Sequence, residues 1–152
     1  MRTATNLTAE LFEQRRKATV LIGIDPGTHT GYAKSVFGKL VSVETVNIYT
    51  AIRLLEGEKR FCEKEGVVLF VRVEDARLRT WFGNTGREKL KGAGSVERDC
   101  AIWQEVLSDL KIPFEFVPPK QVKATTADVF EKMTGWKGRT SIHAREAAWL
   151  II

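Results

Sequence analysis

The sequence contains few cysteines, and this scarcity excludes a disulfide framework as the basis of the fold. Only Cys62 and Cys100 occur among the 152 residues. They lie far apart in the chain, and each falls in a segment that we predict to be helical. Domains that depend on disulfides carry several cysteines at regular spacings. We therefore predict two free, buried thiols rather than a disulfide or a cysteine metal site.

Long hydrophobic runs are also missing. No apolar stretch approaches the ~20 residues of a membrane-spanning helix, and no apolar segment with a small-residue cleavage site follows the basic N-terminus. Internal repeats and low-complexity segments are absent as well. Hydrophobic residues make up 43% of the chain and charged residues 28%, which is typical of a globular domain. We expect a cytoplasmic protein with no membrane association, one main core and one active site.

Acidic residues are outnumbered by basic ones. There are 19 Asp and Glu residues against 24 Lys and Arg residues, which gives a formal net charge of +5. Lysine and arginine side chains that contact phosphates release condensed counterions, so this balance favours a polyanionic partner such as a nucleic acid. Charge alone does not decide the matter, because many basic proteins bind no nucleic acid.

The spacing of apolar residues predicts an alternation of strands and helices. Two nearly continuous apolar runs, 19–25 and 67–74, are typical of strands buried on both faces. Residues 31–37 and 39–46 predict a hairpin around Gly38, with Val41 and Val43 on one face, and 114–117 predicts a short strand. The predicted helices cover 7–17, 49–65, 96–110 after Ser95, a segment from Thr125 or Thr126 to Gly135, and a segment from Thr140 or Ser141 to 152.

This order of elements predicts an α/β protein with a mixed five-stranded sheet and helices on both faces. We interpret residues 1–18 as an N-terminal helical extension and residues 19–152 as the main domain. The connection from Asp75 to Gly94 is longer than a compact domain needs to join two elements, so it predicts a functional or disordered loop.

Two buried strands end in carboxylates. Asp25 follows the first apolar run and precedes Pro26-Gly27, and Glu74 ends the second run. Neighbouring parallel strands bring such ends close together, and a hard cation binds carboxylate oxygens. Taken alone, an Asp before Pro-Gly is also an ordinary residue to open a turn.

The last predicted helix carries a second pair of candidate ligands. His143 and Glu146 are three residues apart, so they lie on the same side of the helix, although a solvated helix face with one histidine is the simpler interpretation. Three carboxylates within ~4 Å would repel one another by roughly 1–4 kcal/mol per pair, which a divalent cation would offset. Two such cations ~4 Å apart are a known arrangement for phosphoryl displacement; alternatively, His143 is the general base.

These residues occur in an order that resembles one nuclease family. The motif Ile22-Gly23-Ile24-Asp25-Pro26-Gly27 is followed by Thr30-Gly31-Tyr32-Ala33, a strand ending in Glu74, Pro119-x-x-Val122-Lys123, and a final His143-x-x-Glu146-Ala147-Ala148 helix. The ordered set, over residues ~19–152, is similar to the RuvC family of Holliday-junction resolvases. The first motif alone also occurs in actin-like sugar kinases and other ribonuclease-H-like proteins.

The resemblance implies a ribonuclease-H-like fold, a homodimer, Mg²⁺ or Mn²⁺ as cofactor, and paired nicks across a four-way DNA junction by phosphodiester hydrolysis. It places Asp25, Glu74, His143 and Glu146 on the catalytic and metal-ligating positions. Glu146 departs from the family's motif, which has Asp there, and the extra methylene moves the carboxylate by about one bond length. Asp75 is a spare acid that strand alternation points to the opposite side of the sheet.

Basic and aromatic residues predict where DNA binds. Positive side chains would hold phosphates, and an exposed aromatic ring could stack on an unpaired base. Trp81 and Phe82 could equally pack on the domain, and the two lysines after Pro118-Pro119 could be ordinary solvated turn residues. The predicted DNA-binding residues are Arg77, Arg79, Trp81, Phe82, Arg87, Lys89, Lys91, Lys120 and Lys123.

Two other functions remain compatible with the sequence. One is a catalytically silent module that binds branched DNA with the same fold. The other is an actin-like phosphotransferase, which normally needs a second nucleotide-binding domain that 152 residues cannot hold. We expect the remaining tryptophans, Trp103, Trp136 and Trp149, in the core or an interface, and the helix with Ile102, Trp103 and Val106 at the dimer surface.

Overall fold

The structure is a computed structural model that describes residues 4–78, 87–119 and 125–152, and the side chains of 8–78, 94–119 and 125–152. The strands in these ranges are β1 (Val20–Asp25), β2 (Thr30–Val36), β3 (Lys39–Val46), β4 (Leu69–Glu74) and β5 (Phe114–Val117). The α-helices are α1 (Ala4–Lys17), α2 (Ile48–Glu65), α3 (Arg87–Asp109), α4 (Ala127–Thr134) and α5 (Ile142–Trp149). One turn of 3₁₀ helix covers Ala76–Leu78. No described helix is both long and apolar enough to cross a membrane.

The five strands form one mixed sheet in the order β3-β2-β1-β4-β5. The first three strands form an antiparallel meander. Strand β4 lies parallel to β1 on its other side, and β5 lies parallel to β4. Helices α2 and α3 make the connections into β4 and β5, as parallel neighbours require. The predicted mixed five-stranded sheet is confirmed.

Each face of the sheet has its own hydrophobic core, because successive strand residues point to opposite faces. Val20, Ile22 and Ile24 of β1 pack on one side with buried residues of α2 and α3, including Leu55 and Trp103. On the other face, Ala33 and Val43 pack with Phe130 of α4 and with Ala144, Ala147 and Ala148 of α5. Trp136 and Trp149 are partly buried against this second core. The prediction of helices on both faces is therefore confirmed.

Helix boundaries follow local capping chemistry. Asn47 accepts a hydrogen bond from the amide of Thr50 at the start of α2, and Gly66 ends that helix in the left-handed conformation. Thr126, rather than Thr125, caps α4, and Gly135 ends it. Ser141, rather than Thr140, caps α5. The caps therefore decide between the alternatives that the sequence left open.

The predicted start of α3 is wrong. The helix begins at Arg87 and not after Ser95, so the connection that follows Asp75 is shorter than predicted. Glycine at 92 and 94 costs about 1 kcal/mol each relative to alanine. Extending a helix that is already anchored costs little nucleation free energy, and α3 is anchored by buried Cys100, Trp103 and Leu107. The burial of Trp103 also removes it from any dimer surface.

The predicted face of the β2-β3 hairpin is also wrong in part. Lys34 pairs with Ser42 and Ser35 pairs with Leu40, so Val41 has no partner across the ladder. Such a bulge shifts the alternation of side chains by one residue. Leu40, not Val41, packs with Val43 in the second core, and Val41 is 47% exposed.

Both cysteines are buried and free. Cys62 lies in the first core, and the Cys100 thiol donates to the carbonyl of Glu74 at 3.7 Å. Burial raises the pKa of both thiols, which keeps them protonated at neutral pH. The prediction of two free, buried thiols is confirmed.

Candidate metal centre

The two carboxylates at the strand ends lie at the same edge of the sheet. The parallel register pairs Ile24 with Val73, so the next residues along the two strands are Asp25 and Glu74. Asp25 is the last residue of β1, is only 6% exposed, and points to the face that α5 covers. Glu74 lies two residues beyond Arg72, whose Nη1 donates to the carbonyl of Leu150 at the end of α5. Both acids therefore point toward the last helix.

Two glycines allow α5 to lie directly on the sheet. A Cβ atom at Gly23 of β1 would lie 2.1 Å from the carbonyl oxygen of Ala147. A Cβ atom at Gly31 of β2 would lie 2.0 Å from the carbonyl oxygen of His143. Neither distance is possible for a real side chain. The absence of side chains at these two positions brings the backbone of α5, and with it His143 and Glu146, next to Asp25.

Both ends of α5 are tied to the rest of the domain. Arg145 is buried, and its guanidinium donates to the carbonyls of Thr125 at 2.7 Å and Thr140 at 2.8 Å. At the other end, Arg72 donates to Leu150 at 2.6 Å. These contacts restrain a helix of only eight residues, so the positions of His143 and Glu146 do not depend on helix propensity alone.

The structure brings three of the four predicted ligands within reach of one cation. Asp25, His143 and Glu146 each offer a donor atom, and these atoms lie within 4.8 Å of one another. His143 Nδ1 is 3.1 Å from Asp25 Oδ2, and the histidine side chain is 47% exposed. Glu74 lies close enough for its charge to act on Asp25. The catalytic role of the four residues stays a prediction.

The electrostatics of Asp25 agree with the chemistry of a cation site. Burial raises the pKa of its carboxyl to about 9, with further contributions from the charges of Glu74 and Glu146 and from a hydrogen bond with Glu146. A buried carboxyl surrounded by two others is poorly stabilised as an anion unless a cation is present. The oxygen-rich donor set, with one imidazole nitrogen, suits Mg²⁺ or Mn²⁺.

This raised pKa predicts how stability depends on pH. The folded protein keeps a proton that the unfolded chain releases above its ordinary pKa of 3.8. The free energy of unfolding in EDTA should therefore decrease as the pH rises from 3.8 toward about 9. Thermal denaturation at a series of pH values measures this slope, and the Asp25→Asn variant, which cannot ionise, should lose most of it.

Divalent cations should reverse the effect. Because metal binding displaces the proton, Mg²⁺ or Mn²⁺ is expected to raise the Tm of the wild type more at high pH than at low pH. Identical pH slopes for the wild type and Asp25→Asn, with no response to either metal, would contradict this account of the cluster.

Asp75 lies on the opposite side of the sheet, as predicted. It is 2% exposed, and the Arg77 guanidinium donates to both of its oxygens at 2.8–3.0 Å. The same guanidinium lies 4.9 Å from the centre of the Phe116 ring. Arg77 is therefore engaged in contacts within the domain, and its DNA-binding role stays a prediction.

The side chains of the eight other predicted DNA-binding residues lie outside the part of the chain that the structure describes. Arg79, Trp81, Phe82, Lys120 and Lys123 lie outside the described residues. Residues 87, 89 and 91 belong to the first turns of α3 rather than to a loop, and their side chains lie outside the described part of the chain. Their roles stay predictions.

One residue at the site was missed by the sequence analysis. The His29 ring stacks on that of His143, with ring centres 6.4 Å apart and planes inclined by 28°. The chain contains only two histidines, and both lie at this site. Its position in the sequence could have identified it, because His29 lies four residues after Asp25, in the turn between β1 and β2.

Comparison with known proteins supports the fold independently. No family model and no curated protein matches the chain. Among solved structures, the chain is similar to T. thermophilus RuvC in complex with Holliday junction substrate, with a TM-score of 0.56 and 20% sequence identity over 88% of this chain and 90% of that chain. The chain therefore has the mixed α/β, ribonuclease-H-like fold of that protein.

Proposed function

We propose that this protein is a metal-dependent, structure-selective endonuclease that nicks four-way DNA junctions and related branched DNA. The observation that carries the proposal is the cluster of Asp25, His143 and Glu146, whose donor atoms lie within 4.8 Å of one another beside Glu74. It occurs in a chain with the fold of a protein whose structure was solved with a Holliday junction. The cluster supports metal-dependent hydrolysis, and the shared fold supports branched DNA as the substrate class.

The four side chains would hold Mg²⁺ or Mn²⁺. Divalent ions held there would supply the chemistry of phosphodiester hydrolysis, namely activation of a water and stabilisation of the leaving oxygen. The Asp25 carboxyl lies 3.1 Å from His143 Nδ1. With Asp25 ionised, the Nδ1–H group would donate a hydrogen bond to it, which would orient the imidazole ring. Nε2 is then the ring nitrogen that would either bind a cation or, where the carboxylates alone hold the cations, accept a proton from the attacking water.

The burial of Asp25 also makes the proposed hydrolysis dependent on divalent cations. Burial and the charges of Glu74 and Glu146 raise the pKa of its carboxyl to about 9, so nearby positive charge would favour its ionisation at neutral pH. Divalent cations held by the site would favour its full ionisation, and hydrolysis should depend strictly on them. EDTA is expected to abolish it.

We further propose that the protein acts as a homodimer. Two symmetric strands of a junction need two cutting sites, and a two-fold dimer places one site on each strand. The basic residues predicted above would hold the phosphates. We also propose that this activity acts on DNA in the cytoplasm.

A cleavage assay on a panel of labelled DNAs tests the function. Four-way junctions, flaps, replication forks and plain duplexes of matched sequence are incubated with Mg²⁺, Mn²⁺ or EDTA. We expect paired nicks in the four-way junction with either metal and little cleavage of the duplex. Junction binding without nicking in any metal would instead favour a catalytically silent DNA-binding module, and ATP turnover would favour a phosphotransferase.

A further inference from the structure

His29 lies in a turn whose conformation is set by its neighbours. The turn joins Asp25, the last residue of β1, to Thr30, the first residue of β2. Thr30 is fully buried, and its hydroxyl donates to the carbonyl of Gly27 at 2.9 Å. His29 itself is exposed. A short turn anchored at both ends therefore presents an imidazole ring to solvent beside the candidate metal centre.

The ring of His29 lies next to the metal ligands but is not one of them. It stacks at 6.4 Å on the ring of His143, which contacts Asp25 through Nδ1. The group of donor atoms within 4.8 Å of one another contains Asp25, His143 and Glu146 but not His29. In the described part of the chain, no hydrogen bond or ion pair engages the His29 ring. Its nitrogens are thus available to a molecule that approaches the site.

The chemistry of the site indicates what such a molecule would need from His29. Asp25, Glu74 and Glu146 repel a phosphodiester strand wherever cations do not shield it. An imidazole N–H at the edge of this acidic cluster can donate a hydrogen bond to a phosphate oxygen. The 6.4 Å between the two histidine ring centres exceeds the axial rise of about 3.4 Å per nucleotide of a strand, so the two rings can face different phosphates of one strand.

We propose that His29 binds the phosphate adjacent to the one being cut and so positions the strand in the site. This inference rests on the proposed nuclease function and adds a substrate contact that is separate from the metal ligands. The contact would be made by a side chain of the exposed turn between β1 and β2, whereas the metal ligands lie at strand ends and on α5.

The test uses three variants of the full chain and two versions of the junction. His29→Ala removes the ring, His29→Gln keeps a hydrogen-bond donor, and Thr28→Ala is a control for changes in the same exposed turn. The modified junction carries an uncharged methylphosphonate at the linkage next to the cut, on either side in turn. Single-turnover rates with saturating enzyme, junction binding in Ca²⁺ and thermal denaturation are measured for each protein.

We expect His29→Ala to cut the normal junction more slowly by about 10-fold or more, because a hydrogen bond to a charged group is lost. His29→Gln should recover part of the rate, and Thr28→Ala should equal the wild type. On one of the two methylphosphonate junctions the wild type should slow by a similar factor, whereas His29→Ala should show no further loss.

The outcomes separate this inference from the function on which it depends. A wild type that nicks no branched DNA in either metal would overturn the proposed function itself. A wild type that nicks the junction, together with an unchanged His29→Ala rate, would overturn only the role of His29. Equal slowing of both proteins by each methylphosphonate would also overturn it, since the effect of His29 would then pass through His143 and not through the phosphate.

Discussion

Replacing Asp25 with asparagine is expected to lower metal-dependent junction cleavage by about 10³-fold or more, the scale on which removal of one essential catalytic group acts. Asparagine has nearly the same shape but no negative charge, so the variant loses the charge on which cation binding depends. Binding to an uncut junction should persist, because the phosphate contacts are predicted to come from basic residues elsewhere. Single-turnover cleavage and mobility shift in Ca²⁺ measure the two effects separately.

Asp75→Asn is the matched control for this variant. Asp75 is also buried and directly follows Glu74, but it points away from the metal centre and pairs with Arg77. Loss of the ion pair should lower the Tm, while cleavage measured well below that Tm should be retained. Cleavage by Asp25→Asn at the wild-type rate would show that the cluster is not the catalytic site.

Replacing Gly31 with alanine is expected to lower both stability and cleavage. The new Cβ atom would lie 2.0 Å from the carbonyl oxygen of His143, so α5 must move away from the sheet. Overpacking of this kind costs about 1–3 kcal/mol or more, which corresponds to a decrease in Tm of about 2–10 °C for a chain of this size. Cleavage should fall further than Tm suggests, because His143 and Glu146 move with the helix.

Gly57→Ala is the control for adding a methyl group to a glycine. Gly57 lies within α2, and the nearest atom to an added Cβ is a side-chain nitrogen of Arg60 at 4.0 Å. Alanine is the better helix former, so this variant should gain about 0.5–1 kcal/mol in stability and keep its cleavage rate. If Gly31→Ala left Tm and cleavage unchanged, the close contact between the backbones of α5 and β2 would be refuted.

The features that depend on residues close together in the sequence were predictable. Apolar runs ending in Asp25 and Glu74 located the two central strands, and the order of strands and helices predicted the mixed sheet. Spacing on the last helix placed His143 and Glu146 on one side. In each case the relevant residues lie within a few positions of one another, where backbone geometry alone relates them.

Several features escaped prediction because they depend on contacts distant in sequence. The early start of α3 depends on an anchor that includes Trp103 in the core. The bulge at Val41 is a property of two paired strands and not of either strand by itself. His29 was not identified from the sequence, because its ring lies against that of His143, more than a hundred positions away.

The sequence by itself determined which acids and which histidine were candidate ligands, and on which elements they lie. Only the tertiary structure decided that they meet, because their meeting depends on Gly23 and Gly31 lacking the side chains that would hold α5 off the sheet. The tertiary structure also raises the pKa of Asp25, since burial and the approach of Glu74 and Glu146 are properties of the assembled domain.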